Sequence, residues 1–133
     1  MIPRRTLVGV TVVIVEDHDV IRSLVTGFLR QQGAKVIECS NADQALESVT
    51  RERPDLVLSD INLPGEDGFQ LLQNIRSLDP EFGGDTPAIA MSAIGATVTN
   101  ERALAAGFRW YLGKPFTPQQ LLSAIQLALR IQN

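Results

Sequence analysis

Residues 10–15 are Val10-Thr11-Val12-Val13-Ile14-Val15, a short and almost continuously apolar run in which every side chain branches at Cβ. A strand with one solvated face alternates apolar with polar residues, whereas a strand inside a parallel sheet is buried on both faces and does not. The acids Glu16 and Asp17 follow directly. The sequence therefore predicts a first strand buried in a parallel sheet, with two carboxylates at its carboxyl end.

The alternation of strand and helix signals continues along the chain. Further strands are predicted at residues 35–38, 56–58, 88–91 and 110–112, and a segment with helical spacing of small or apolar residues follows each strand. The fourth helix is predicted over the alanine-rich residues 99–106. The side chains expected to be buried in the other helices are Ile21, Leu24, Val25, Phe28 and Leu29; Ala42, Ala45, Leu46 and Val49; Leu71, Leu72, Ile75 and Leu78; and Leu121, Leu122, Ile125, Ala128 and Leu129.

Parallel strands need crossover connections of this kind, and helices in such crossovers cover both faces of the sheet. The fold class predicted is therefore α/β, a doubly wound five-stranded parallel sheet with helices on both faces. We predict one domain over residues 8–131 and an N-terminal tail of residues 1–7, because no linker or low-complexity segment interrupts the pattern.

Composition narrows the class of partner. The chain has 133 residues, of which 44% are hydrophobic and 20% are charged, and its 15 acidic and 12 basic residues give a net charge of −3. These proportions are typical of a folded globular domain. The net negative charge gives no support for direct binding to nucleic acid or to an anionic membrane surface.

Two features of the sequence bear on the cellular compartment of the protein. The single cysteine, Cys39, cannot form an internal disulfide, which fits a reducing compartment. Arg4 and Arg5 precede an apolar stretch, as in a signal peptide, but that stretch ends in acids rather than small residues and is too short to span a bilayer. We therefore predict a cytoplasmic protein without membrane insertion.

Polar side chains follow four of the predicted strands. Glu16 and Asp17 end the first strand, Asp60 the third, Ser92 the fourth and Lys114 the fifth. In an open α/β sheet, ligands bind beyond the carboxyl ends of the strands, where the strand order reverses. Each residue alone has an ordinary explanation as a cap or loop residue, but together they predict a binding site at one edge of the sheet.

The chemistry of these residues suggests a cation and a phosphoryl group. Three converging carboxylates repel one another unless a cation neutralises them, and a set of oxygen ligands favours Mg²⁺ or Mn²⁺ over zinc. The Lys114 ammonium and the Ser92 hydroxyl are suited to phosphoryl oxygens. Asp60, in the centre, is then a candidate nucleophile, because carboxylates can form aspartyl phosphates.

Other sites are excluded or disfavoured. A calcium-binding EF-hand starting at Asp60 would have Pro64 at its fifth position and Leu71 where a bidentate glutamate is required. His18, the only histidine, is interpreted as a helix-start residue or a residue at the rim of the site. The glycine-rich phosphate loops of nucleotide-binding proteins are missing from the sequence, so ATP is not the predicted phosphodonor.

Four motifs in order resemble the receiver domain of two-component response regulators, over residues 10–129. They are Glu16-Asp17; the segment Asp60-Ile61-Asn62-Leu63-Pro64-Gly65-Glu66-Asp67-Gly68; Ser92-Ala93; and Tyr111-Leu112-Gly113-Lys114-Pro115-Phe116. The resemblance implies the flavodoxin-like strand order 2-1-3-4-5. It also implies a cis Lys114–Pro115 peptide bond, as in many relatives.

The resemblance assigns a role to each site residue. It implies that Asp60 accepts a phosphoryl group from a sensor histidine kinase or a phosphotransfer protein. Glu16, Asp17, Asp60 and the backbone carbonyl of Asn62 would bind Mg²⁺, for which Mn²⁺ can substitute. Ser92 and Lys114 would hold the phosphoryl oxygens.

The resemblance also implies a switch. Ser92 would move toward the phosphoryl group and Tyr111 would turn inward, changing the surface formed by the fourth helix, the fifth strand and the fifth helix. That surface would bind a downstream protein, whose identity the sequence does not give, or a second copy of the chain. The alternative for Tyr111 is an ordinary half-buried strand aromatic. Leu63 and the pair Arg109-Trp110 depart from residues common in relatives, which bears on the choice of partner.

Two other functions remain open on the sequence. One is a docking domain that uses the same fold without phosphorylation. The other, less favoured because the chain has no room for a substrate-enclosing cap, is a phosphohydrolase that works through an aspartyl phosphate. In the favoured hypothesis the protein is not an enzyme but assists phosphoryl transfer to Asp60 and hydrolysis from it, and the chain acts either alone or as part of a larger kinase.

Overall fold

The computed structural model describes residues 6–93 and 100–130. Its sheet has five parallel strands in the order β2-β1-β3-β4-β5, which confirms the predicted fold class and strand order. The strands are β1 (Thr11–Val15), β2 (Lys35–Cys39), β3 (Leu56–Asp60), β4 (Ala88–Ala93) and β5 (Trp110–Lys114). The helices are α1 (Asp19–Gln31), α2 (Ala42–Glu52), α3 (Gly68–Arg76), α4 (Asn100–Ala106) and α5 (Pro118–Arg130), with a 3₁₀ turn at Pro80–Phe82.

The strand order places the polar strand ends side by side. β1 lies between β2 and β3, so the chain moves outward in one direction from β1 to β2 and in the other from β3 to β5. In the paired strands, Asp60 lies opposite Met91, and Lys114 lies opposite Ala93. Because all strands are parallel, their carboxyl ends share one edge of the sheet.

Side chains from the two faces of the sheet form two separate hydrophobic clusters. Val12 and Ile14 of β1 pack on the face covered by α1 and α5, whereas Val13 and Val15 pack on the face covered by α2 and α3. All four side chains are fully buried. The continuous apolar run of β1 is therefore explained by burial on both faces.

Helix ends follow local capping chemistry. The side chain of Asn41 accepts a hydrogen bond from the Gln44 amide at 2.9 Å and starts α2. Thr117 and Gln120 form a reciprocal capping box at the start of α5, at 3.0 and 2.9 Å. His18 is the N-cap of α1, as predicted.

Two side chains differ clearly from the prediction. Leu24 is 70% exposed, although the apolar spacing of α1 placed it on the buried face. The buried arc of the helix is instead centred toward Thr26, which is buried, and Leu24 lies about 200° around the helix axis from Thr26. Leu7 was assigned to the tail, but it is only 1% exposed and packs in the cluster beneath α1, with its amide bonded to the Gln32 carbonyl at 2.8 Å.

Smaller differences concern one helix end and the degree of burial of several side chains. Leu78 lies two residues beyond the end of α3 yet packs against the core. Five side chains expected to be buried are half-buried: Ile21, Phe28, Leu46, Leu78 and Leu129. Residue 99, predicted to start the fourth helix, and residues 1–5 and 131 of the predicted tail and domain lie outside the described part of the chain. Over the described ranges, no helix has the length and hydropathy needed to cross a bilayer.

Candidate functional site

Three carboxylates meet at the carboxyl edge of the sheet. Glu16 is the first residue after β1 and is buried, Asp17 next to it is exposed, and Asp60 is the buried last residue of β3. One carboxylate oxygen from each of the three lies within 4.8 Å of the others. The convergence predicted from the strand ends is therefore present in the structure.

Lys114, the last residue of β5, reaches across the edge to two of these acids. Its Nζ forms an ion pair with Glu16 Oε1 and lies 3.0 Å from Asp60 Oδ2. The lysine side chain is only 15% exposed, and its two partners are more deeply buried. The Lys114–Pro115 peptide bond is cis, as the resemblance implied.

Burial and neighbouring charges shift the pKa values of this pair. Burial raises the pKa of the Glu16 carboxyl group, the Lys114 hydrogen bond opposes that rise, and the negative charge of Asp60 adds to it. Burial acts to lower the pKa of Lys114, but the hydrogen bonds and charges of Glu16 and Asp60 outweigh it, so that pKa is raised. The lysine is therefore held in its charged form beside the acids.

Backbone amides orient the carboxylates. The Asn62 amide donates to Asp60 Oδ1 at 3.1 Å, and the His18 amide donates to Glu16 Oε2 at 3.2 Å. Both amides belong to the turns that leave the strands, so local chain direction fixes these side chains. The side chain of Asn62 is exposed and its backbone lies two residues beyond Asp60.

Ser92 lies on β4, the strand next to β3, one residue beyond the partner of Asp60. Its side chain is fully buried, and its Oγ has no hydrogen-bond partner among the described residues. An unpaired buried hydroxyl is costly and calls for an explanation. A group with acceptor oxygens bound at this edge would supply the missing partner.

Tyr111 lies on β5 opposite Ala90 and is half-buried against the cluster that contains Phe108. This position agrees with either interpretation made from the sequence, a switch residue or an ordinary strand aromatic. Within the described residues, the hydrogen bonds and ion pairs of Asp60 and Lys114 do not include the Tyr111 side chain.

The acidic cluster fits a hard divalent cation. Its donors are carboxylate oxygens from three residues, and one of the three acids is exposed to solvent. Oxygen ligands of this type suit Mg²⁺ or Mn²⁺, which retain water or phosphate oxygens in their remaining positions. The unpaired Ser92 hydroxyl and the Lys114 ammonium lie on the two strands beyond Asp60.

The sequence analysis missed two residues that support the site. Gly68 starts α3 against the end of β3, where a Cβ would lie 2.6 Å from the Asp60 carbonyl oxygen and 2.8 Å from Ile61 Cα. Arg22 donates from Nη1 to the Glu16 carbonyl oxygen at 2.7 Å. The glycine lies within the quoted motif, but only its contact distances show the close packing, and nothing in the spacing of Arg22 indicates its target.

The family model of the response regulator receiver domain matches residues 12–126 of this chain. The chain is 36% identical over 122 residues to a 14.6 kDa protein from the sodA1 3′ region of Leptolyngbya boryana, with 92% of both chains covered. It is 32% identical over 124 residues to the phosphate regulon transcriptional regulatory protein PhoB of Pseudomonas aeruginosa, covering 93% of this chain and 53% of PhoB. It thus spans about half the length of the transcriptional regulators that it matches.

The fold of this chain also resembles that of a solved receiver domain, whose sequence identity is close to that of the relatives above. The receiver domain of the sensor histidine kinase PA1611 from Pseudomonas aeruginosa PAO1, with a magnesium ion coordinated in its active-site cleft, superimposes with a TM-score of 0.81. The identity is 33%, and the match covers 92% of this chain and 98% of that one. The strand order, the acidic cluster with its lysine and these likenesses agree, and the chain belongs to the response regulator receiver domain family of two-component signalling.

Proposed function

We propose that Asp60 is the phosphoacceptor of a signalling switch and that its donor is the phosphohistidine of a sensor kinase or phosphotransfer protein. One observation carries the proposal: the Asp60 carboxylate lies 3.0 Å from the Lys114 ammonium and within 4.8 Å of the oxygens of Glu16 and Asp17. Phosphoryl transfer requires positioning and charge neutralisation more than acid–base groups, and this cluster offers both.

The transfer moves one phosphoryl group from nitrogen to oxygen. Asp60 Oδ2, which lies 3.0 Å from Lys114 Nζ, attacks phosphorus, the N–P bond of the donor breaks as the new O–P bond forms, and the electron pair of the broken bond returns to the donor imidazole. The Asn62 amide holds the other carboxylate oxygen at 3.1 Å and so orients the attacking group. Lys114 neutralises one phosphoryl oxygen and the unpaired Ser92 hydroxyl donates to another.

Glu16, Asp17, Asp60 and the Asn62 backbone carbonyl are the residues proposed to hold Mg²⁺, or Mn²⁺ in its place. When bound there, the cation supplies positive charge to the phosphoryl oxygens. Support comes from the oxygen donors of the acidic cluster and from the magnesium in the cleft of the PA1611 receiver domain. Hydrolysis of the aspartyl phosphate by water, which returns Asp60 to its free form, is part of the same proposal.

The proposed output is a change of surface. Ser92 and Tyr111 are the proposed switch residues, and the surface formed by α4, β5 and α5 is the proposed contact for a downstream protein or for a second copy of the chain. Ser92 on β4 and Tyr111 on β5 lie on adjacent paired strands, which supports their coupling. We further propose that the receiver unit covers residues 8–131 together with Leu7, and that it works in the cytoplasm.

Intact mass after incubation with acetyl phosphate and Mg²⁺ tests the phosphoacceptor. We expect the wild type to gain the mass of one phosphoryl group, and Asp60→Ala to gain none. Asp43→Ala, which removes an exposed aspartate in the first turn of α2, should be phosphorylated like the wild type. EDTA should abolish the gain in the wild type and in Asp43→Ala.

A wild type that never gains the mass would favour the docking domain, and a gain that persists in Asp60→Ala would assign the phosphate to another residue. Rapid turnover of several unrelated phosphomonoesters would instead indicate a phosphohydrolase. Each of these results contradicts the proposal.

A further inference from the structure

The β1–α1 turn carries two of the three acids of the cluster, yet these acids are held very differently. The Glu16 side chain is buried and is bonded to Lys114 and to the His18 amide. Asp17 is exposed at the start of the turn. The position of the Asp17 carboxylate therefore depends on the main chain to which it is attached.

Arg22, in the second turn of α1, holds that main chain. Its Nη1 donates to the Glu16 carbonyl oxygen at 2.7 Å, and this carbonyl belongs to the peptide group that joins Glu16 to Asp17. The amide of Glu16 donates to the Cys39 carbonyl oxygen at the end of β2, at 3.0 Å. Both polar groups of the Glu16 main chain are thus fixed, one by the sheet and one by Arg22.

The guanidinium is itself held by two acids. Its Nη2 bonds to Asp19 Oδ1 at 2.7 Å, and its Nε lies 3.5 Å from Glu38 Oε1 on β2. The three nitrogens therefore reach three different elements, namely the β1–α1 turn, the first turn of α1, and β2. A planar fork with fixed N–H directions can do this, whereas the single ammonium of a lysine cannot. The Arg22 side chain is only 18% exposed.

We propose that Arg22 is a positioning residue for the cation site, acting through the Glu16–Asp17 peptide group. The inference rests on the proposed function, since it presupposes that these acids bind a divalent cation. Arg22 touches neither the cation nor the phosphoryl group; it presets the direction in which Asp17 leaves the strand. Residues that orient metal ligands in this way commonly change metal affinity by 10-fold or more when replaced.

Charge and position predict opposite effects of removing Arg22, which makes the inference testable. If only its positive charge acted at the site, its removal would lessen the repulsion of a cation and tighten Mg²⁺ binding. If Arg22 positions the turn, its removal weakens Mg²⁺ binding despite the loss of a positive charge. The direction of the change therefore separates the two effects.

The experiment is Mg²⁺ titration by isothermal calorimetry on the unphosphorylated full chain, well below the unfolding temperature of each variant. For Arg22→Met we expect Kd to rise by about 10-fold, and for Arg22→Lys, which keeps the charge but not the fork, we expect a rise as well. Arg30→Met is the matched control. Arg30 lies on the same helix and also bonds a backbone carbonyl, that of Val36 at 3.1 Å, beside the same Glu38, but it lies in the last turn of α1, at the end of the helix away from the cluster.

Arg30→Met should bind Mg²⁺ like the wild type, and urea unfolding of both variants separates a loss of stability from a loss of affinity. If the wild type binds Mg²⁺ normally and Arg22→Met has an unchanged or lower Kd, the inference about Arg22 is overturned while the proposed function stands. A rise of equal size in Arg30→Met overturns it too, because the effect would then come from general loosening of α1. If the wild type shows no saturable Mg²⁺ binding, the cation site of the proposed function fails and the inference fails with it.

Discussion

Lys114 is the side chain on which the charge balance of the site depends. It is the cation bonded to Glu16 and Asp60, and all three side chains are largely withdrawn from water. Removing one member of such a group leaves the others with their charges uncompensated in a poorly solvated place. The lysine therefore has a structural role in addition to its proposed contact with phosphate.

We predict that Lys114→Met lowers the free energy of unfolding by roughly 1–3 kcal/mol in buffer with EDTA. Part of the loss should return when Mg²⁺ is added, because a cation at the acidic cluster would replace the missing positive charge. Urea unfolding with and without Mg²⁺ measures both effects. Lys35→Met, which removes an exposed ion pair with Glu52, should change stability little under either condition. Wild-type stability for Lys114→Met in EDTA would contradict the prediction.

Two buried hydroxyl groups have no partner among the described residues, Ser92 Oγ at the site and Thr26 Oγ1 in α1. Replacing an unsatisfied buried hydroxyl with an apolar group removes a desolvation cost. The two positions therefore share a stability effect, while only Ser92 lies next to the proposed phosphoacceptor strand.

We predict that Ser92→Ala and Thr26→Val each leave the free energy of unfolding unchanged or raise it by up to about 1 kcal/mol. Only Ser92→Ala should slow the gain of a phosphoryl group from acetyl phosphate, which time-resolved intact mass would measure. Equal phosphorylation rates for Ser92→Ala and the wild type would remove Ser92 from the proposed site. A loss of stability in Ser92→Ala would show that its hydroxyl has a partner in the folded protein.

At the level of helices and strands, the junction of β3 with α3 shows how tightly an element can constrain the site. The amide of Gly68 bonds to the Ile61 carbonyl at 2.8 Å, and its Cα faces the backbone of Asp60 and Ile61. A Cβ at this position would meet backbone atoms, which cannot move aside as a flexible side chain can. The start of α3 is therefore in contact with the residue proposed to be phosphorylated.

We predict that Gly68→Ala lowers the free energy of unfolding by roughly 1–3 kcal/mol and reduces phosphorylation of Asp60, because α3 must move away from β3. Gly27→Ala is the control with the opposite sign. Gly27 lies within α1, where a Cβ would contact nothing within 4 Å, so alanine should stabilise the helix by about 0.5–1 kcal/mol. Chemical denaturation and intact mass on both variants check the pair. Destabilisation of similar size in both would contradict the prediction, because the cost could then not be assigned to the contact of residue 68 with Asp60.

The elements also show where sequence patterns suffice and where they do not. Apolar spacing, or alanine content in the case of α4, located the five α-helices of the described residues to within a few residues, because both are local properties. Apolar spacing wrongly predicted that Leu24 is buried. Five apolar residues cover a broad arc of the helix surface, and only packing decides where the buried part of that arc is centred. Thr26 was overlooked for the same reason: it is polar by type, yet it lies nearer the centre of the buried arc of α1.

For the protein as a whole, the patterns predicted five strand–helix units and burial of both sheet faces, but not which strands are neighbours. Periodicity within Val12–Val15 is the same whichever two strands lie beside β1, so the order came only from the family resemblance. The convergence of Glu16, Asp60 and Lys114 followed from parallel strands ending at one edge. The contacts of Arg22 and Gly68 could not be predicted, because they depend on how the loop after each strand directs the next helix, which apolar spacing does not give.

The acidic cluster joins the β1–α1 turn to the end of β3, and both strands belong to the central part of a single sheet. A cation that binds there binds the folded chain and not the unfolded one, where these residues are far apart. Binding of this kind stabilises the fold by mass action. Mg²⁺ at about 100 times its Kd should therefore raise the free energy of unfolding by about 2.7 kcal/mol.

Thermal unfolding at a series of Mg²⁺ concentrations, with ionic strength held constant by NaCl, measures this linkage. We expect Tm to rise with the logarithm of Mg²⁺ concentration above Kd in the wild type and in Asp43→Ala, and to rise much less in Asp17→Ala, which loses one acid of the cluster. Asp17→Ala should also start from a Tm no lower than that of the wild type in EDTA, because its removal lessens the repulsion among the carboxylates. If Asp17→Ala gains as much from Mg²⁺ as the wild type, the stabilisation comes from general screening of the net charge of −3, and the three acids do not form a common cation site.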